Sequence, residues 1–384
     1  MIIDIFLIIF SFNKNKKMRL ISKALNNAIT NEITLSFNFN LIEDGHTLPY
    51  DEITRKYNRL ILSDYISISI KTLAQNVTHL TLGNEYNKEI SGYPINLTHL
   101  TFGNKYNQKV DNLPPLLLYL KFGDDFNKKI ENLPNTLKYL LLGKSFCKKL
   151  DKLPKNLEYL SLGEDYNQKL SCIEHNNLKQ IIFGKKYNQI LCDLPDSVTH
   201  ITFGEHYNHP VDNLPKNLKY LTFGRDFNQS VDMLPNSLIH IKFGDFFDNT
   251  VDNLPKSLKY LTFGRNFNKT VNNLPENIEV LNFGSFFNNS VDNLPNKIKH
   301  LTFGTHFNNN VKKLPDSVTH VTFGWFSNVD INKLPSNVTY LKIGYHFNKK
   351  IKKLPPKLKK IVLYEHHYIN CKNKINKHCK VICL

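Results

Sequence analysis

Apolar residues recur along most of the chain at fixed spacings, and glycine marks the same point of every unit. Glycines follow one another at 20-residue intervals from Gly83 to Gly344, with one extra residue between Gly163 and Gly184. Counted from each glycine, apolar residues stand six, three and one positions before it and three, seven and ten positions after it. A repeat of this regularity predicts a solenoid, in which each coil buries its apolar side only against its neighbours.

The unit around Gly224 shows how one coil is expected to form. Leu221 and Phe223 alternate with a polar residue, which predicts a short strand. Gly224 then ends the strand at a turn that needs either positive φ or close backbone approach. Asparagine follows the next aromatic residue in all units except those with Cys147 and Asp248, so stacked asparagines are expected to form a hydrogen-bonded ladder. Proline eleven positions after the glycine excludes helix continuation, and twenty residues leave no room for a helix on the outer side.

Four regions follow from the pattern. Residues 60–364 are predicted to form the solenoid, with about fourteen regular coils and degenerate coils at both ends. Residues 1–30 carry a helical apolar pattern, and residues 31–59 are a linker or degenerate cap. Residues 365–384 form a basic tail that contains cysteine and histidine.

Composition narrows the function classes. The six cysteines do not follow the period, which indicates free thiols in a reducing compartment, and we expect a cytoplasmic protein. No apolar run approaches the roughly 18 residues that would cross a bilayer, so no membrane partner is expected. Each glycine is isolated in its own turn and the acidic residues do not converge, a pattern that predicts neither an enzyme nor a cofactor site.

The units resemble FNIP repeats, a leucine-rich-repeat-like family of amoebae and of the large DNA viruses that infect them. Phe227-Asn228, Phe267-Asn268 and the run Tyr207-Asn208-His209-Pro210-Val211 carry the resemblance. It implies a mainly β, right-handed solenoid with a parallel sheet on one face and a role in protein–protein interaction. For a viral relative it would also imply the host cytoplasm and an interaction with the host.

The first thirty residues resemble a shortened F-box. Asp4-Ile5, Ile8-Ile9-Phe10-Ser11-Phe12 and Arg19-Leu20-Ile21-Ser22-Lys23 match its motifs, although about three residues are missing before Arg19 and no Leu-Pro precedes the first helix. The resemblance implies a Skp1-like linker of a cullin ubiquitin ligase as partner, bound by Ile5, Ile8, Ile9, Phe10, Leu20 and Ile21. The alternative is a helical cap that hides the end of the solenoid core.

The most ordered polar feature is a column of histidine and tyrosine four positions before each glycine, on the strand face that points away from the core. Amphipathic rings on a rigid sheet suit protein recognition. β-Propensity and descent from one duplicated unit explain the column equally well. The predicted target-binding residues are His79, His99, Tyr119, Tyr139, Tyr159, His200, Tyr220, His240, Tyr260, His300, His320 and Tyr340. Stacked histidine pairs could hold a metal, but no cysteine or acid stands in register with them.

The tail and the net charge raise two further possibilities. Cys371, His378, Cys379 and Cys383 can ligate zinc, but their spacing matches no standard pattern, so a solvated or capping tail is favoured. The formal charge of +17 suggests nucleic acid as partner, but lysines are distributed over nearly every coil and mixed with aspartates, which argues against it. The sequence therefore predicts a substrate-recognition adaptor first, a binding scaffold without ligase recruitment second and a nucleic-acid binder third.

Overall fold

The chain forms one continuous parallel sheet that winds coil by coil. A computed structural model describes residues 32–35 (as backbone), 58–62, 64, 69–171, 173 and 177–384. The F-box-like segment, residues 1–30, lies outside the described residues, as does most of the predicted linker. In the described part, each strand pairs in parallel with the next along the chain. The predicted β-solenoid of about 20-residue units is confirmed.

Most strands are only three residues long and occupy the same place in every repeat. Within the described residues the strands are β1 Glu32–Leu35, β2 Arg59–Leu62, β3 His79–Thr81, β4 His99–Thr101, β5 Tyr119–Lys121, β6 Tyr139–Leu141, β7 Tyr159–Ser161, β8 Gln180–Ile182, β9 His200–Thr202, β10 Tyr220–Thr222, β11 His240–Lys242, β12 Tyr260–Thr262, β13 Val280–Asn282, β14 His300–Thr302, β15 His320–Thr322, β16 Tyr340–Lys342, β17 Lys360–Leu363 and β18 Lys380–Cys383. Residues one repeat apart are direct neighbours: Tyr220 pairs with His200 on one side and with His240 on the other.

The core is built from stacked columns of apolar side chains. All six apolar positions of the unit around Gly224 are buried, as predicted: Leu218, Leu221, Phe223, Phe227, Val231 and Leu234. Phe223 stacks on Phe227 within its coil, with ring centroids 3.7 Å apart, and on Phe243 of the next coil at 5.6 Å. Each such aromatic contact contributes about 0.5–1.5 kcal/mol beyond the burial of area.

The recurring glycines are required by close backbone approach. A methyl group on Gly224 would lie 1.7 Å from the carbonyl oxygen of Gly204, and one on Gly264 would lie 1.8 Å from that of Gly244. Neither glycine adopts a left-handed backbone. The sequence allowed either positive φ or close backbone approach as the reason for glycine. The structure shows that close approach of successive turns is the reason.

The predicted asparagine ladder is present next to these turns. The backbone N–H of Asn228 donates to Asn208 Oδ1 at 2.9 Å, and the same bond recurs one coil later between Asp248 N–H and Asn228 Oδ1 at 3.0 Å. Asp248 preserves the ladder because its carboxylate accepts from Asn268 N–H at 2.8 Å. Cys147 donates its N–H to Asn127 in the same way. Each side chain thus pairs a backbone donor that the bend would leave unpaired.

Both ends of the sheet extend past the regular coils. β1 adds a strand within the segment that the sequence assigns to a linker or cap. At the other end, helix α1 (Glu365–Cys371) leads into β18, which pairs with β17. Other helical turns in the described part are short 3₁₀ segments, such as Ile331–Lys333. Within the described residues no helix combines the length and apolar character needed to span a membrane.

Replacing Gly224 with alanine should destabilise the solenoid by at least about 2 kcal/mol, because the added methyl group meets backbone that cannot move independently of the sheet. Gly92→Ala is the matched control. Its methyl group would lie 3.6 Å from the nearest atom, in the flexible side chain of Lys71, so stability should change by about 1 kcal/mol or less. Urea unfolding followed by circular dichroism measures both, and equal effects would contradict the proximity argument.

Candidate functional site

The sheet brings the predicted histidines and tyrosines into a single surface column. Each of the twelve is the first residue of its strand, and strand register places it beside its counterparts. Gln180 in β8 and Val280 in β13 interrupt the column and divide it into three runs. We call these runs the ring column: His79 to Tyr159, His200 to Tyr260, and His300 to Tyr340. Whether it binds a target stays a prediction.

Neighbouring rings of the column contact one another. His79 and His99 stack with centroids 4.0 Å apart and planes inclined by 8°. His200 and Tyr220 stack at 4.4 Å, and His300 and His320 at 4.3 Å. Because each ring is supported by the next, the side chains of the column have little conformational freedom.

Three tyrosines and His300 are the exposed members of the ring column. Tyr139, Tyr220 and Tyr260 are 42%, 40% and 43% exposed, whereas the leucine that follows each of them is fully buried. This alternation confirms that the column faces away from the core. Tyrosine rings that are partly exposed and held rigidly are among the side chains most enriched at protein interfaces.

Each of four histidines contacts the threonine that precedes it in the chain, a feature that the sequence analysis overlooked. Thr98 Oγ1 lies 3.0 Å from the carbonyl oxygen of Thr78 and 2.9 Å from His99 Nδ1. The same arrangement holds His79, His200 and His320. If the hydroxyl donates to the carbonyl, it can at the same time accept from Nδ1–H, so the threonine makes two hydrogen bonds. With the Nε2–H tautomer the single hydroxyl proton serves either the carbonyl or Nδ1, so only one hydrogen bond forms. The geometry therefore favours the Nδ1–H tautomer, with the Nε2 lone pair available to a partner.

The surroundings keep these histidines neutral near pH 7. Burial, the neighbouring His99 and the guanidinium of Arg59 together lower the pKa of His79 to about 4. Burial also lowers the pKa of His99, His200 and His320 below the usual value. At neutral pH these four histidines thus present uncharged rings rather than cations.

Charged pairs between coils border the ring column. Glu158 lies between Lys138 and Lys179, with N–O distances of 3.1 and 2.6 Å, and these two ammonium groups hold the pKa of Glu158 below its usual value. Glu279 sits in the same way between Lys259 and Lys299. Such exposed pairs contribute little stability, but they offset the charge of the lysines beside the column.

The described residues provide no group of three metal-ligating side chains. In the C-terminal region Cys371 and Cys379 are buried and Cys383 is exposed, and the segment folds as α1 and β18 against the last regular coils. The stacked pair His79 and His99 has no third ligand beside it among the described residues.

A second group of exposed rings was missed by the sequence reading. These rings lie one and two positions after the glycine, on some of the turns that follow the strands. Trp325 stacks on Tyr345 at 4.7 Å, and Phe326 stacks on His346 at 4.7 Å. The signal was present in the repeat, since Phe246, Phe286 and Phe326 occupy one slot, but intervening polar residues obscured it.

Short parallel strands, one repeat apart and capped by stacked turns, define a solenoid of the leucine-rich-repeat class. Within that class the chain belongs to the FNIP repeat family, whose sequence profile matches residues 57–105, 106–145, 176–206, 207–246, 249–286, 270–305, 287–326 and 328–365. The match omits residues 146–175, which contain Cys147 in the asparagine slot and lead into the extra residue before Gly184.

The chain is similar to the solved structure of CroV588 and, more weakly, to that of YopM. CroV588, described as a novel circular leucine-rich-repeat protein, shares 35% sequence identity with a TM-score of 0.67 over 82% of this chain. The chain spans 57% of the length of CroV588. YopM from Yersinia enterocolitica shares 16% identity with a TM-score of 0.43, over 91% of this chain and 86% of YopM. A search of curated proteins found no match.

Acidification should weaken the fold through the ring column. In the unfolded chain histidine titrates near pH 6.5, whereas folded His79 titrates near 4, so between these values the unfolded state binds more protons. The free energy of unfolding should therefore fall as the pH is lowered through this window. Urea midpoints at pH 7, 6, 5 and 4 measure the effect, and His79→Gln combined with His99→Gln should flatten the dependence.

Long-range ¹H–¹⁵N NMR of the same protein measures the protonation state and the tautomer of each histidine directly. His79 should remain neutral at pH 5.5, and His99 should show the Nδ1–H tautomer, a preference that Thr98→Val should remove. His240 serves as the internal reference because Ile239 precedes it and offers no hydroxyl. A protonated His79 at pH 5.5, or an Nε2–H tautomer at His99, would contradict the assignment.

Proposed function

We propose that the chain is a non-enzymatic protein-binding scaffold that holds target proteins on the ring column and acts as the substrate-recognition adaptor of a Skp1–cullin–F-box ubiquitin ligase. The observation that carries the first half is the alignment of twelve histidine and tyrosine side chains along one unbroken parallel sheet. The second half rests on the F-box resemblance of residues 1–30.

The ring column suits a folded protein or extended peptide as ligand. Its rings are preordered by stacking and by the threonine contacts, so little conformational entropy is lost on binding. Tyrosine hydroxyls and histidine Nε2 atoms supply hydrogen-bonding groups in regular steps of about 4.8 Å, the spacing of neighbouring strands. A target that matches these steps can pair with several rings at once.

Nucleic acid is a weaker candidate for the sheet face. Four of the lysines beside the ring column are paired with glutamates of adjacent coils, two at Glu158 and two at Glu279. Neutralised lysines release few counterions and bind phosphate poorly. A non-enzymatic scaffold without ligase recruitment remains the principal alternative, and it differs from the adaptor only at residues 1–30.

Target binding is tested by truncating the open rings. Tyr220→Ala with Tyr260→Ala should remove most captured proteins from amoebal lysate, a loss of about tenfold or more in yield, because the two anchor rings that flank His240 are lost. Phe246→Ala is the matched control, an exposed ring of the same region that lies on the turn rather than on the sheet face. Stability should change little in both, since the three rings are 40–49% exposed. Equal capture by all forms would refute the ring column as a binding surface.

Ligase recruitment is tested by the N-terminal segment. The apolar side chains Ile5, Ile8 and Leu20 cannot all be buried within so short a segment, so some are expected to dock in a groove of the linker. Deleting residues 1–30 should abolish co-purification with a Skp1-like linker and leave the solenoid folded. Ile8→Asp should act similarly, because it places an unpaired charge in a dry contact.

The ring-column variant provides the reciprocal control for this experiment. Tyr220→Ala with Tyr260→Ala should still bind the linker, whereas the deletion should still capture targets. A full-length chain that binds no linker, together with a truncated chain that unfolds, would make residues 1–30 a cap and leave the scaffold alternative.

A further inference from the structure

The positive charge of the chain is concentrated at its C-terminal end. Residues 341–384 contain twelve lysines and a single acidic side chain, Glu365, so this segment accounts for +11 of the formal charge of +17. The ion pairs between lysines and carboxylates of adjacent coils also end before this segment. Ion pairs link lysines to carboxylates of adjacent coils as far as Lys313 and Asp292, but among the described residues no carboxylate lies within 4.0 Å of a lysine in residues 341–384.

Lysines on the same side of these coils act together. They belong to the last three coils, whose strands span about 10 Å along the solenoid, and Lys360 and Lys380 are direct neighbours in the sheet. That length is comparable with the Debye length of about 8–10 Å at physiological ionic strength, so the fields of lysines on one side of the coils add. Some contact neutral groups, such as Lys357 Nζ with Asn337 Oδ1 and Lys374 Nζ with the carbonyl oxygen of Ile351, which leaves their charge uncompensated.

A row of exposed rings on the turn edge runs into this basic end. We call it the turn-edge patch: Phe286, His306, Trp325, Phe326, Tyr345 and His346. The rings form a continuous chain of contacts, with Phe286 5.1 Å from His306 and His306 5.2 Å from Phe326. Trp325 is 47% exposed, Phe326 43% and Tyr345 40%, so large apolar surface stays in water.

The orientation of the rings selects the kind of ligand. His306 lies between Phe286 and Phe326, and Phe326 lies between His306 and His346, with ring centroids 4.7–5.2 Å apart. Trp325 and Tyr345 stack on each other with planes inclined by 12°, and Tyr364 meets both rings in T-shaped contacts. Ring faces that are already covered cannot serve as platforms for nucleobases, which bind single-stranded nucleic acid proteins by face-to-face stacking. The outward ring edges carry partial positive charge and suit apolar and carboxylate groups.

We propose that the turn-edge patch and the lysines of residues 341–384 together bind an acidic protein segment in which apolar side chains are interspersed among aspartates and glutamates. The apolar side chains contact Trp325, Phe326 and Tyr345, and the carboxylates pair with lysines that have no carboxylate of their own. This surface goes beyond the proposed function, because its rings lie on the turns and its lysines in the last coils, where only Lys360 and Lys380 continue the slot of the ring column.

The single tryptophan of the chain reports on this surface directly. A synthetic peptide of alternating glutamate and phenylalanine, titrated into the full-length protein, should change the emission of Trp325 and saturate. A peptide of alternating glutamate and serine, with the same charge, should bind at least about tenfold more weakly, because it lacks the apolar anchors. Raising the salt concentration should weaken both peptides.

Two sets of variants separate the rings from the charge. Replacing Phe326 and Tyr345 with alanine should weaken the first peptide about tenfold or more, whereas Phe246→Ala should leave binding within about twofold, since Phe246 lies outside the turn-edge patch. Changing Lys349, Lys359 and Lys380 to glutamate should weaken binding by a similar factor. The same change at Lys128, Lys148 and Lys256, which are exposed in earlier coils, alters the net charge equally and should have little effect. Circular dichroism confirms that each variant is folded.

Competing ligands decide between the possible acidic partners. Oligothymidylate or phosphatidylserine vesicles that change Trp325 emission at lower concentration than the glutamate–phenylalanine peptide would overturn the proposal in favour of nucleic acid or a membrane surface. An unchanged emission with the peptide, or equal loss in both lysine sets, would overturn it as well. Tyr220→Ala with Tyr260→Ala should leave peptide binding intact, so a failure here is distinguishable from a failure of the ring column.

Discussion

The spacing of parallel strands governs the whole molecule. Backbone hydrogen bonds hold successive coils about 4.8 Å apart, and the twenty-residue period places identical slots directly above one another. At the turn this spacing leaves no room for a side chain, because a methyl group on Gly224 would nearly coincide with the carbonyl oxygen of Gly204. In the core the same spacing favours flat rings that stack, as Phe227 and Phe247 do at 6.1 Å.

Stacked slots create an electrostatic difficulty, since a charged residue repeated in one slot would repel its copies along the solenoid. Two solutions are visible on the sheet face. Next to the ring column, glutamates alternate with lysines, as in the series Lys138, Glu158 and Lys179. Within the ring column the slot holds tyrosine and histidine, and burial lowers the pKa of His99, so that its ring stays neutral. The last three coils depart from this rule, because twelve lysines of residues 341–384 accompany a single acidic residue, and this is the surface for which we propose an acidic partner.

The repeat predicted the fold in detail because one period contains nearly all of its information. Each apolar slot of the unit around Gly224 is buried, and Asn228 pairs as the ladder requires. Features that depend on which residues meet across coils were harder to foresee. The threonine contact of His99 depends on the carbonyl of Thr78, a residue twenty positions away. The stacking of Trp325 on Tyr345 likewise arises from two different residues in one slot, which a consensus averages out.

Because a solenoid is held together by contacts between neighbouring coils, its outer slots can change without loss of the fold, whereas its inner slots cannot. Val280 and Gln180 show this freedom, since both interrupt the ring column while Leu281 and Ile181 beside them remain fully buried. The interruptions divide the sheet face into separate runs of rings, each three to five coils long. If the ring column binds targets as we propose, a ligand is recognised by the order of these runs and not by a single pocket. Recognition can then diverge by single substitutions while the glycine, phenylalanine and asparagine columns stay constant.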